Sequence, residues 1–138
     1  MTVYLDTSVI LRWVLGQRDA LPHPAPDAIL VTSRLTSVEA TRSLDRMRRQ
    51  GQLAEPVYAE RHGTALRMLD RIDRVHLYVA VLRRAGDPFP VPLGTLDALH
   101  LATALVVRDR RGHDVTVATH DAQLAAAARA VGLDAIGV

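Results

Sequence analysis

The chain has 138 residues, 49% hydrophobic and 23% charged, the make-up of an ordinary globular domain rather than a disordered or membrane-embedded one. It has no cysteine, and all 17 of its basic residues are arginine. Disulfides, thiolate nucleophiles, cysteine-based zinc sites, lysine Schiff bases and the lysine of a phosphate-binding P-loop are therefore excluded together, while a formal charge of +2 tilts the protein weakly toward anionic partners.

The first residues, Met1 to Asp6, lack the basic-then-apolar pattern of a signal peptide. No apolar run approaches the roughly 18 to 20 residues needed to span a bilayer. The expectation is one domain over residues 1–138, cytoplasmic and without a membrane partner. Val3-Tyr4-Leu5 reads as a short buried strand ending on Asp6. Thr7 or Ser8 then caps a helix from about Val9 to Leu15. Pro22, Pro24 and Pro26 make the next stretch a loop. Ala28 to Thr32 is a second buried strand, followed by a helix from Leu35 to Gln50 closed by Gly51. Within that helix Thr36 and Glu39 have capping-box spacing, a sufficient structural reason for Glu39 on its own. Arg42, Arg46 and Arg49 form a basic stripe, a pattern that ordinarily marks a solvated face.

Pro56 to Leu69 reads as an amphipathic helix, Arg74 to Leu77 as a short strand, and Tyr78 to Ala85 as a further helix. A proline-rich loop from Gly86 to Pro92 leads into Gly94–Arg110, apolar almost all the way round and hence a buried central helix. Its one early carboxylate, Asp97, suits the helix dipole, with Thr95 as the candidate N-cap. Val115 to Ala118 is a strand of alternating β-branched residues. It ends at Thr119-His120-Asp121, where Asp121 or Thr119 caps an alanine-rich helix to about Val131. Asp134 to Ile136 is a last edge strand. Strands alternating with helices call for a mostly parallel sheet covered on both faces, a three-layer α/β/α sandwich.

Asp6, Glu39 and Asp121 each fall just after a strand, near a helix start, and Asp97 opens the most apolar helix. Strand carboxyl ends share one edge of a parallel sheet, so four acids distant in sequence can converge there, although each also has a capping explanation. Carboxylates without histidine or cysteine partners suit a hard cation with oxygen ligands, Mg²⁺ or Mn²⁺. Such an ion activates water and holds phosphates. No serine lies in a G-x-S-x-G setting, and His100, one turn after Asp97, is placed to contact the site but reads more simply as a packed or partly exposed helix residue.

Four segments together resemble the PIN-domain family, most closely its VapC-type toxins from toxin–antitoxin pairs: Leu5-Asp6-Thr7-Ser8-Val9-Ile10, Thr36-Ser37-Val38-Glu39, Leu96-Asp97-Ala98-Leu99-His100-Leu101-Ala102-Thr103-Ala104 and Thr119-His120-Asp121. They occur in the family's order over essentially the whole chain. The resemblance implies a Mg²⁺-dependent endoribonuclease, with Mn²⁺ as a substitute ion. Asp6, Glu39, Asp97 and Asp121 would form its metal and catalytic site, with hydroxyl support from Thr7 and Thr119. It also implies a second copy of the chain and a cognate antitoxin as partners. Arg12, Arg42 and Arg46 are the candidate holders of RNA phosphates. The rival readings are a DNA or structure-specific nuclease on the same fold and a non-catalytic PIN-like binding module. A haloacid-dehalogenase-type phosphatase is set aside, because Ser8 stands where its second aspartate belongs and no lysine is present.

Overall fold

Strands buried on both faces carry side chains alternately to two different cores, and β1 (Thr2–Leu5), buried at every position, does so. Its Val3 and Leu5 join one apolar cluster and Tyr4 joins the other. In the computed structural model, which describes residues 1–138, β1 is the middle strand of a five-stranded sheet. The others are β2 (Ile29–Ser33), β3 (Asp73–Val75), β4 (Val115–Ala118) and β5 (Asp134–Ile136), in the spatial order β3-β2-β1-β4-β5. Every pairing is parallel.

Six helices fill the crossovers: α1 (Thr7–Leu15), α2 (Arg34–Arg49), α3 (Glu55–Leu69), α4 (Val79–Gly86), α5 (Thr95–Arg111) and α6 (Ala122–Ala130). Val9, Ile10, Val14, Leu44, Ala65 and Leu69 of α1, α2 and α3 pack on one face of the sheet. Leu101, Ala104, Leu105, Leu124, Ala127 and Ala128 of α5 and α6 pack on the other. The expected three-layer α/β/α sandwich with a parallel sheet is therefore what the chain adopts. The expected central helix is α5, buried at Ala98 and without interruption from His100 to Leu105. It stops at Gly112, whose φ of +67° suits the left-handed turn that closes a helix.

Register delivers the functional edge. Leu5 pairs with Ala118, so Asp6 and Thr119 leave the sheet side by side, and the Asp6 N–H donates to the Ala118 carbonyl at 3.0 Å.

Helix starts differ from the sequence reading in three places. The N-cap position of α1 is Asp6 rather than Thr7 or Ser8, and that of α5 is Gly94 rather than Thr95; neither makes a side-chain cap. α2 begins at Arg34, capped by Ser33, whose hydroxyl accepts the Leu35 N–H at 3.0 Å. Thr36 is thus inside the helix and buried, so the Thr36–Glu39 capping box does not form. Tertiary pairing decides this: Ser33, last residue of β2, ends the strand and caps the helix at once, which leaves Glu39 free for other partners.

Leu101 is 1% exposed in the core beneath α5. Leu101→Ala should lower the free energy of unfolding by about 2–5 kcal/mol, measured by urea denaturation.

Candidate acidic site at the carboxyl edge of the sheet

Asp6 sits at the end of β1, 6% exposed. Two hydroxyls donate to its Oδ2, Ser8 Oγ at 2.6 Å and Thr119 Oγ1 at 2.8 Å. Each hydroxyl in turn accepts a backbone N–H from the β4–α6 loop. Ser8 takes that of His120 and Thr119 that of Asp121, both at 3.0 Å. Asp6 is thereby fastened to the loop that carries Asp121. That loop is held from behind as well: the Thr119 N–H donates to the Ile136 carbonyl at 3.0 Å, and Gly137, with φ +107°, lies against it. A Cβ at Gly137 would fall 2.3 Å from the Thr119 carbonyl oxygen, so only glycine fits.

Asp121 is the N-cap of α6, as expected, its Oδ1 accepting the N–H groups of Gln123 and Leu124 at 2.8 and 3.0 Å. Glu39 projects from α2 toward α1 and α5. Its Oε1 accepts the Thr7 hydroxyl at 2.7 Å and the His100 Nε2–H at 2.5 Å. Asp97 lies in the first turn of α5, half-buried.

His100 is a packed helix residue, as expected, and it also makes the contact with the acidic site that the sequence left open. It is 1% exposed, with Nε2 also 3.6 Å from Asp6 Oδ1 and Nδ1 2.7 Å from the Tyr4 hydroxyl. The signal available was its spacing: a residue three after Asp97 shares its helix face. Ser8 and Tyr4 belong to the same network and carried no sequence signal beyond their nearness to Asp6.

Among the four acids, Asp97 is the one on which the charges of the other three act. Partial burial raises the Asp97 carboxyl above its ordinary pKa; the charges of Asp121, Asp6 and Glu39 raise it further, while His100 opposes them. Burial also pushes Glu39 up, but the His100 hydrogen bond and charge, with the Thr7 hydroxyl, outweigh it and bring Glu39 below its ordinary value. Burial pushes His100 down, and the Glu39 hydrogen bond with the charges of Asp6, Glu39 and Asp97 more than reverses that.

The donor set is all-oxygen. Asp6 and Asp121 each have one oxygen engaged by protein donors, as does Glu39, and the second oxygen of each accepts no protein hydrogen bond. As they stand, no three His, Asp or Glu side chains form a ready-made metal cage. The chemistry nonetheless fits a hard divalent cation, which would offset the burial and the neighbouring charges that together raise Asp97.

The three candidate arginines fare differently. The Arg12 guanidinium is engaged by Asp19. Arg42 and Arg46 are exposed on α2, three and seven residues after Glu39 and so on the same stripe leading away from it. A surface groove of about 850 Å³ contains none of the four acids. It is lined by Trp13, His23, Leu30 and Ile72 among others, near the strands' amino ends.

A family model described as the PIN domain matches residues 3–130. Ribonuclease VapC35 of Mycobacterium tuberculosis is 32% identical over 137 residues, covering 95% of this chain and 93% of its own length. Ribonuclease VapC46 of the same organism is 30% identical over 135 residues, covering 97% and 95%. Among solved structures, the VapBC-1 complex from nontypeable Haemophilus influenzae contains a chain that superposes with a TM-score of 0.59 at 16% identity. The match covers 99% of this chain and 97% of that one, a likeness of fold.

The buried pair fixes a stability window for the metal-free protein. The folded pKa of His100 lies above the ordinary 6.5, so its contribution is complete below about 6.5 and is lost as pH rises through the folded value. The folded pKa of Glu39 lies below the ordinary 4.5, so its contribution is present above about 4.5 and is lost as pH falls through the folded value. Urea denaturation across pH should therefore show stability declining on both sides, and His100→Gln should flatten the alkaline limb. An alkaline limb identical in that variant would disprove the assignment.

Proposed function

The chain belongs to the PIN-domain family, and from that premise we propose that it is a divalent-cation-dependent endoribonuclease, the toxin of a type II toxin–antitoxin pair. The observation that carries the proposal is geometric: Ser8 and Thr119 fasten Asp6 to the loop that carries Asp121, and Glu39 reaches His100, 3.6 Å from Asp6, on the helix that carries Asp97. That gathering of acids is costly in a protein that has no use for it. The names of the M. tuberculosis relatives support the choice of RNA as substrate.

Asp6, Glu39, Asp97 and Asp121 are the residues proposed to hold Mg²⁺, with Mn²⁺ able to replace it. Held by these carboxylates, a divalent ion would supply Lewis acidity for hydrolysis of a phosphodiester by water. The chain's own contribution is placement. Ser8 and Thr119 hold one oxygen of Asp6 and leave the other. Thr7 and His100 do the same for Glu39, and the start of α6 does it for Asp121. Thr7 and Thr119 are thus the supporting hydroxyls. Arg42 and Arg46 run from Glu39 along α2 and are assigned to RNA phosphates. Arg12 reaches RNA only by leaving Asp19.

A cognate antitoxin is the proposed protein partner, a reading supported by the VapBC complex that shares the fold. A second copy of the chain and a cytoplasmic location complete the proposal. No helix is long and apolar enough to cross a membrane. One observation favours the rival binding module: Asp121 already has a structural duty as the cap of α6.

Mn²⁺ titration of the antitoxin-free protein decides between them without knowledge of the RNA. Wild type should bind, and Asp97→Asn should weaken binding by at least the roughly 10–100-fold that follows loss of an outer partner. No binding at millimolar Mn²⁺ would leave four structural acids on a binding module. Cleavage of RNA but not of its all-deoxy counterpart would exclude the DNA nuclease. For the arginines, Arg42→Ala with Arg46→Ala should make the log–log salt slope of single-strand RNA binding shallower by about 0.7 for each phosphate no longer neutralised. An unchanged slope would remove both from the interface.

A further inference from the structure

His100 is buried deep within α5 with both ring nitrogens engaged, and its two partners come from the other two layers of the sandwich. Tyr4, on the central strand β1, lies 2.7 Å from Nδ1, and its ring meets the imidazole edge to face with centroids 6.0 Å apart. Glu39, on α2 across the sheet, lies 2.5 Å from Nε2. A carboxylate only accepts, so Nε2 carries the hydrogen that Glu39 receives. With both nitrogens tied and the ring 1% exposed, the imidazole has no freedom to turn. The Thr7 hydroxyl donates to the same Glu39 oxygen, Oε1, at 2.7 Å. Two donors on one oxygen fix the carboxylate and leave Oε2 without a protein partner.

A glutamate on a half-exposed helix face otherwise samples many rotamers, and ordering it upon ion binding weakens the binding. We propose that His100 is a positioning residue of the acidic site: through the Tyr4–His100–Glu39 chain it holds Glu39 with one oxygen bound and the other presented to the divalent cation. The inference rests on the cation-dependent reading above. It adds a histidine and a tyrosine whose hydrogen-bonded route to the ion runs through Glu39, as with the outer partners of a metal ligand, while His100 Nε2 also lies 3.6 Å from Asp6 Oδ1.

The test is Mn²⁺ binding by the full chain, followed by electron paramagnetic resonance, with circular dichroism confirming the fold at the same temperature. His100→Ala should raise the Mn²⁺ dissociation constant about 10–100-fold. His100→Gln, whose amide donates to Glu39 and whose carbonyl accepts from Tyr4, should restore it to within about threefold. Tyr4→Phe keeps the core filled and removes only the hydroxyl on Nδ1. It should produce a weaker loss of the same kind, and it serves if His100→Ala does not fold.

The result a purely structural role would not produce is non-additivity. In a Glu39→Ala background, removing His100 should cost Mn²⁺ affinity far less than it does in the wild type, because the hydrogen-bonded residue through which it acts is gone and only its 3.6 Å approach to Asp6 remains. Additive losses would overturn the proposal. So would wild-type or tighter affinity in His100→Ala while Asp97→Asn loses the ion. Absence of Mn²⁺ binding by the wild type would instead overturn the cation-dependent function itself, and the role of His100 with it.

Discussion

Carboxylates brought to one edge of a sheet repel one another, and much of the local architecture answers that repulsion. Asp6 receives two hydroxyl hydrogens, Asp121 two backbone N–H groups, and Glu39 a hydroxyl and an imidazole. Helices contribute too. Asp6 and Asp121 occupy the N-cap positions of α1 and α6, and Asp97 lies in the first turn of α5, so three helix amino ends direct partial positive charge at the cluster. Asp97 has the least of this help and carries the raised pKa. The residue left most strained by its neighbours is the one whose charge a bound cation would relieve most.

A parallel sheet explains why such a cluster can be built at all. Consecutive parallel strands deliver their carboxyl ends to the same edge and then turn into helices, so each crossover sets a residue down beside the last. In this chain β1 and β4 end level, which places Asp6 against the Thr119–Asp121 loop. A surface groove near the strands' amino ends is lined instead by a mixture of apolar side chains such as Trp13 and Leu30 and charged ones such as Arg67 and Asp70. Concavity and the gathering of acids thus mark opposite edges of the sheet.

The fold was legible in the sequence because its signals are local and mutually consistent: short apolar runs, proline-rich breaks, and one helix apolar on every side. The positions of Asp6, Asp97 and Asp121 were legible for the same reason, since each sits at a strand or helix boundary. What could not be read were choices between equally good local partners. Thr36 and Glu39 have ideal capping-box spacing, yet Ser33 takes the cap because β2 runs one residue further than its apolar content indicates. His100 looked like a packed helix residue because its partners, on β1 and α2, lie 96 and 61 residues away in sequence. Distance in sequence hides a hydrogen bond as completely as it hides the pairing of two strands.

The middle strand of the sheet is also the first to be synthesised, and this sets an order of assembly. β1 pairs with β2 early, but its other neighbour, β4, enters only after residue 115. The hydrogen bond from Thr119 to Asp6 spans 113 residues. A nascent chain therefore carries β1 with one edge unpaired, the kind of edge that invites association with other strands until its own partner arrives. Asp6 meanwhile has Ser8 but not Thr119. The acidic edge needs residues from both halves of the chain, and no amino-terminal fragment that lacks β4 contains it whole.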